Sequence, residues 1–245
     1  MFTRAAPWMT VVILAVSTNV WSQNTIELSG TLRDFTESHP DFEQPYIVGL
    51  KTGIVESTLG EDGKPVLNTD VLDWDRKPAD SEESFNQWYR NVDGVNMSTK
   101  HSIVLEDADG DGTYRFEASK HNGQSFFPID GQMLGNEGNS HNYHFTYEIH
   151  SKFTYTDPAS RDADMVFNFS GDDDVWVYIN DALVVDIGGV HGEKHGSVNV
   201  DSVASNIGLT PGGTYDFDFF FAERHLTESN FTIETTIQFL SPLYD

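Results

Sequence analysis

The chain has 245 residues and a formal charge of −25 at pH 7, from 39 acidic against 14 basic side chains. An acidic surplus of that size opposes binding to nucleic acid and to anionic membrane surfaces, and it suits cation binding or solubility in a salty medium. Seventeen Phe, nine Tyr and five Trp are enough for the core of one large all-β domain, and the absence of cysteine excludes disulfide staples and thiol chemistry.

Met1 to Ala6 carries one charge, Arg4, and Trp8 to Val16 is a short apolar run that precedes Val20-Trp21-Ser22. This is the pattern of a cleaved export leader over residues 1–22, too short for a comfortable transmembrane span; a buried N-terminal helix is the alternative. The expected mature unit is a single domain over residues 23–245, with no sorting motif visible after Phe239. Thr25 to Phe35 alternates Ile26, Leu28, Gly30 and Leu32 with polar neighbours, which predicts a first strand. Residues 38–66 are broken by His39-Pro40, Gln44-Pro45 and Lys64-Pro65 and read as loop, with Ile54-Val55 and Val66-Leu67 as candidate short strands.

Ser81 to Arg90 is the one convincing helix, short, with Ser81 as its cap and Phe85, Trp88 and Tyr89 at helical spacing. Strands are predicted over Met97–Leu105, Thr113–Ala118, Asn142–Thr156, Tyr215–Ala222 and Phe231–Phe239. Between them, Asp164 to His191 is the stretch around which the chain is organised. Met165, Phe167 and Phe169 alternate in a strand, Asp172, Asp173 and Asp174 follow Gly171, and Val175, Val177 and Ile179 resume the alternation with Trp176 and Tyr178 on the other face. Asn180-Asp181 makes a turn, Leu183 to Val185 is a third apolar run, and Asp186, Gly188, Gly189 and His191 close the unit. Val198, Val200 and Val203 mark a further strand or turn. About ten strands with turn punctuation predict an all-β antiparallel β-sandwich, jelly-roll-like, with one short helix and long loops.

Adjacent carboxylates on a tight turn repel one another unless a cation sits among them, and Ca²⁺ is the usual hard divalent ion for oxygen ligands. A solvated acidic turn is the plain alternative. Asp107, Asp109 and Asp111 stand at alternate positions before Gly112, a Ca²⁺-loop spacing, although Ala118 occupies the twelfth position where such loops carry Glu. An Asp-Gly hairpin turn explains the same residues. Asp186, Gly188, Gly189 and His191 either join the aspartate turn in one ligand site or form a tight turn of their own. Trp176 is placed to stack on a sugar if it is exposed and is core if it is not. His141, His144, His191, His195 and His225 raise zinc as a possibility, but no pair sits at i, i+4 spacing within a helix. Glu223-Arg224-His225 reads as structural, with Arg224 paired to a nearby acid. No nucleophile elbow, zinc-protease motif or phosphate loop supports catalysis.

Phe169 to Asn180 and Leu183 to His191 resemble the core of the fibro-slime domain family, and Tyr215 to His225 followed by Ser229-Asn230-Phe231 resembles its second signature. Leu32-Arg33-Asp34-Phe35, His39-Pro40-Asp41-Phe42-Glu43 and Phe126 to Asp130 fit as well, so the resemblance runs from about Thr31 to Ile237. That family is similar to the protective-antigen-type domains, β-sandwiches found in toxins, glycosidases and yeast adhesins. The resemblance implies Ca²⁺ on two successive aspartates joined by a cis peptide bond, with sugar hydroxyls bound through the ion. Asp172-Asp173 and Asp173-Asp174 both qualify as the pair.

The candidate ligand-binding residues are then Asp172, Asp173, Asp174, Trp176, Asp186, Gly188, Gly189 and His191. The candidate metal ligands are Asp172 and Asp173 at one site and Asp107, Asp109 and Asp111 at another. The expected function is a secreted, Ca²⁺-dependent carbohydrate-binding or adhesion module, extracellular or surface-associated, whose partner is a glycan or matrix polysaccharide. A structural or self-associating matrix protein with Ca²⁺ only as a staple, and an enzyme acting on polysaccharide, are the two rivals.

Overall fold

A computed structural model describes residues 24–43 and 49–240; the expected leader over residues 1–22 lies outside the described residues. Ten strands follow one another: β1 (Thr25–Asp34), β2 (Met97–Glu106), β3 (Tyr114–Ala118), β4 (Phe145–Thr154), β5 (Val166–Gly171), β6 (Asp174–Ile179), β7 (Ala182–Ile187), β8 (Lys194–Asn199), β9 (Thr214–Glu223) and β10 (Phe231–Thr235). Two short α-helices accompany them, α1 (Glu82–Phe85) and α2 (Val200–Val203), with 3-10 turns at Thr69–Asp73 and Pro158–Ser160. The spatial order is β7-β6-β9-β4-β1-β2-β3-β10-β5-β8, antiparallel throughout.

The order is continuous in name, but β2 and β3 share one paired position, Glu106 with Arg115. There the sheet parts and the two halves fold face to face. Phe167 of β5 lies 5.0 Å from Phe217 of β9, and Phe231 of β10 lies 5.2 Å from Phe221 of β9, although neither pair of strands is hydrogen-bonded. Rings that meet without a shared ladder belong to opposite layers. The all-β sandwich read from the sequence is the architecture observed.

β6 is buried at all six positions, and its alternation serves two cores. Val175, Val177 and Ile179 face the core between the sheets, while Trp176 and Tyr178 face a second cluster that holds Phe85, Trp88 and Tyr89. That second cluster is supplied by residues 49–96, which wrap the outer face of β6 and β9 and meet β7 through the bridge Thr58–Ala182 and the residue after it through Lys51–Gly188. So the long irregular segment is a third layer.

Three local expectations are corrected. The predicted helix over Ser81–Arg90 forms only four α-helical residues after a reciprocal cap between Ser81 and Ser84. It then tightens, Trp88 N–H bonding to Phe85 O, which turns Trp88 and Tyr89 onto the sheet. A second helix, α2, follows β8 because the Asn199 side chain accepts from Ser202 N–H. The last strand ends at Thr235, not Phe239: the Thr235 hydroxyl donates to Val166 O and accepts from Ile237 N–H, and Phe239 rejoins the sheet only at Phe153. The Asn180-Asp181 turn is as expected, both residues at positive φ of 50° and 63°, the twist a two-residue hairpin requires.

Candidate functional site

The three aspartates lie where β5 passes into β6. All are buried, at 2%, 3% and 0% exposure for Asp172, Asp173 and Asp174. The cis peptide bond lies between Asp172 and Asp173, which settles which of the two pairs carries it. Asn230 holds the first carboxylate, and the 189–191 loop and Arg224 together hold the other two. Asp172 accepts from Asn230 N–H at 2.6 Å and from the Asn230 amide nitrogen at 2.8 Å. Asp173 accepts from His191 N–H at 2.9 Å and Arg224 N–H at 3.3 Å. Asp174 accepts from Gly189 N–H at 2.7 Å and faces Arg224 Nε at 2.6 Å.

Arg224 is the buried cation at the turn, and its Nη2 has no hydrogen-bond partner. Its Nη1 donates to Pro78 O at 2.8 Å, and its guanidinium lies over Trp88, 4.8 Å from the ring centre. The preceding residue, Glu223, is also buried, and its Oε2 has no hydrogen-bond partner. Asp174, Asp173 and the buried Asp41 act on this guanidinium, while Asp172 and Glu223 act on Asp173 instead. Burial pushes the Asp172 carboxyl above its ordinary range, and it pushes Asp173 and Glu223 well above it, with neighbouring carboxylates adding to the rise at both. His191 Nε2 is a second buried atom without a partner, and burial lowers the imidazole's pKa.

The remaining predicted residues separate into groups. Gly189 and His191 do reach the aspartate turn, but through main-chain N–H groups; Gly189 has φ +93°, a conformation that suits glycine. Gly188 lies against the neighbouring chain, where a Cβ would come within 2.6 Å of Ile54 and 3.0 Å of Lys51 O. Asp186 turns away from the other aspartates and accepts from Gly53 N–H and Trp176 Nε1. Trp176 is 0% exposed, so the expected stacking on sugar is corrected: its indole packs near Trp88 and Phe85 and has no face free for a ligand.

Asp107 is buried and accepts from Gly110, Asp111 and Gly112 N–H, while Asp109 and Asp111 are exposed. The loop is the β2–β3 hairpin, organised by one aspartate. His141 pairs with Asp130, while His144 and His225 share Glu43, with Glu137 on the other nitrogen of His144. Among the described residues no three His, Asp or Glu side chains are gathered as a ready-made metal group.

Sequence reasoning did not assign Asn230 or Glu223 to the site, and it gave Arg224 a partner without naming it. The signal for Asn230 was its place in Ser229-Asn230-Phe231, beside the second signature. Residues 137–240, which include the aspartate turn and all of these contacts, match the PA14 domain family, a β-rich, protective-antigen-like domain. Over its greater length the chain is similar to proteins of Dictyostelium discoideum. It is 41% identical to protein psiQ over 238 residues, 91% of this chain and 22% of psiQ. It is 40% identical to protein psiR over 242 residues, 91% of this chain and 22% of psiR. With protein psiD the identity is 37% over 234 residues, 91% of this chain and 43% of psiD. The chain therefore spans between about a fifth and two fifths of the length of these curated relatives.

Proposed function

We propose that this chain is an exported PA14-type module of the fibro-slime kind, which holds Ca²⁺ at Asp172 and Asp173 and binds carbohydrate through the ion. One observation carries the reading. Asp172, Asp173 and Glu223 are buried beside a single guanidinium already engaged with Asp174, and Glu223 Oε2 has no partner. Desolvated carboxylates without a counter-charge are costly, and a divalent cation is the chemical species that removes the cost.

The residues fit such an ion. An ionised carboxylate offers about four acceptor positions, so the oxygens of Asp172 and Asp173 retain lone pairs beyond the amides they accept from. Glu223 stands beside them as a further oxygen donor, whereas Asn230 turns its amide nitrogen to Asp172 and its oxygen to Lys120 N–H. Ca²⁺ takes about six to eight oxygens, so main-chain carbonyls, water and ligand hydroxyls complete the set without a third clustered acid. Bound there, the ion supplies a Lewis-acidic centre with positions open to vicinal hydroxyls. The chain's own amides orient the two carboxylates, and the loops at residues 189–192 and 225–229 flank the turn and set what else a sugar touches.

PA14 domains are associated with carbohydrate binding and adhesion, which favours a glycan as the partner. The export leader over residues 1–22, one domain over residues 23–245 and an extracellular location belong to the same proposal. For Asp107, Asp109 and Asp111 the hairpin reading is preferred over a second Ca²⁺, since Asp107 is committed to three amides of its own loop. The test is a glycan array probed with the 245-residue chain in Ca²⁺ and in chelator, beside Asp172→Asn/Asp173→Asn. Binding in Ca²⁺ that chelator and the double variant abolish is expected. An array equally blank with and without Ca²⁺ sinks the carbohydrate reading.

A further inference from the structure

β2 pairs with β1 along its whole length, yet on its other side it meets β3 at Glu106 alone. Asp107 N–H donates to Asn24 O at 2.9 Å, which fixes the phase of the β1–β2 ladder. Odd-numbered residues of β2 bond to β1, and Ser98, Lys100, Ser102 and Val104 turn their N–H and C=O groups away from it. All four are exposed. Among the described residues no strand pairs with this side from Met97 to Leu105.

An unpaired edge is a template for another strand, and sheets commonly protect their edges with charge, proline or cover. This edge has little of that protection. From Met97 to Leu105 it carries no carboxylate and one lysine, on a chain whose net charge is −25. Met97 and Val104 are 47% and 45% exposed, among the most exposed large apolar side chains. A groove of about 330 Å³ runs beside the edge, between His101–Val104 and the rings of Phe116 and Phe127.

We propose that this edge joins two copies of the chain, β2 against β2, antiparallel across a two-fold axis at His101. In that register Ser98 meets Val104 of the second copy and Lys100 meets Ser102, so every outward residue pairs with an outward residue and each pair exchanges both main-chain hydrogen bonds. Met97 faces Leu105, Glu106 faces Asn96, and no carboxylate opposes another. The two imidazoles of His101 meet on the axis, and burial lowers the pKa of this side chain, which favours its neutral form there. Elsewhere the two acidic bodies repel, so the contact sits on the carboxylate-free strip and strengthens as salt screens the rest. The inference goes beyond the carbohydrate reading and does not depend on it.

Sedimentation velocity on the 245-residue chain across a concentration series, at about 0.05 and 0.5 M salt, tests it. The expected result is the mass of two copies, reached at lower concentration in the higher salt. Val104→Glu places a carboxylate in the strip, and Ser102→Pro deletes an outward N–H that the fold itself does not use. Each is expected to weaken association by at least about tenfold with the circular dichroism spectrum retained and the melting temperature only slightly lowered, because Val104 stands across from Glu27 and the Ser102 hydroxyl bonds that of Ser29. Should the proline variant fail to fold, Val104→Glu decides alone. A single-copy mass at every concentration and salt overturns the proposal, as does a dimer that Val104→Glu leaves intact.

Discussion

Replacing Arg224 with methionine removes the buried cation of the aspartate turn and keeps most of the side chain's apolar length. The guanidinium and Asp174 are 1% and 0% exposed in their side chains, with Nε and Oδ2 at 2.6 Å. Breaking a buried pair from one side costs about 3–5 kcal/mol, because the remaining charge stays desolvated. The lost contact over Trp88, at 4.8 Å, contributes about another 1–2 kcal/mol at a site without water. The expected loss is therefore about 4–7 kcal/mol, a large part of the 5–15 kcal/mol that holds a typical domain together. Urea unfolding at pH 7 measures it as a fall in midpoint with an unchanged slope. Adding Asp174→Asn to the methionine variant is expected to return part of the loss, with a coupling energy of about 2–3 kcal/mol. A loss under about 1 kcal/mol for Arg224→Met would refute the claim that this pair holds the turn.

Four further outcomes follow from particular contacts. Trp176→Ala is expected to cost about 3–5 kcal/mol in urea unfolding without changing glycan binding per folded molecule, since the indole is wholly buried. A Cβ at Gly171 would lie 2.2 Å from Asn230 O, so Gly171→Ala displaces the residue that donates twice to Asp172; weaker Ca²⁺ binding by calorimetry and a lower melting temperature are expected. Asp107→Ala is expected to cost about 1–3 kcal/mol by removing the acceptor for three loop amides, whereas Asp109→Asn, at an exposed position, stays within about 0.5 kcal/mol.

The fourth concerns pH. Burial opposes ionisation of both Glu148 and His150 but is outweighed. His150, Arg33 and Lys64 hold Glu148 down from 4.5 to about 2, and Asp218 with Glu148 holds His150 up from 6.5 to about 9. The lowered acid contributes stability that is lost as pH falls from 4.5 through about 2, and the raised histidine contributes stability that is lost as pH rises from 6.5 through about 9. The urea midpoint is expected to fall on both sides of that window, and His150→Gln to flatten the alkaline side. An alkaline fall that the variant keeps in full would contradict the assignment.

The period-two alternation of β5, β6 and β9 was legible because each strand turns one apolar face to the same intersheet core. What lay on the other face of β6 was not. Whether Trp176 meets solvent or protein depends on residues 49–96, which no local pattern ties to that strand. Its neighbours Phe85 and Trp88 were read as a helix's own stripe, when the helix is one turn that delivers them to the sheet. The aspartate turn was conspicuous as three adjacent acids, and its partners were invisible for a physical reason: Asn230 and Arg224 reach it from 58 and 50 residues away, each partly with a main-chain N–H that any residue owns. Asp107 illustrates the converse. Its spacing with Asp109 and Asp111 suits a cation, and the fold instead directs its oxygens to the loop's amides, a local choice that spacing alone does not encode.

The most direct test of the central claim is the melting temperature of the 245-residue chain in Ca²⁺ and in chelator, compared with the same difference for Asp172→Asn/Asp173→Asn. A ligand that binds only the native state stabilises it by about 2.7 kcal/mol at a hundredfold excess over Kd. A cation held at the aspartate turn predicts a clear rise with Ca²⁺ in the chain and none in the variant. No rise in the chain, or an equal rise in both, would contradict it.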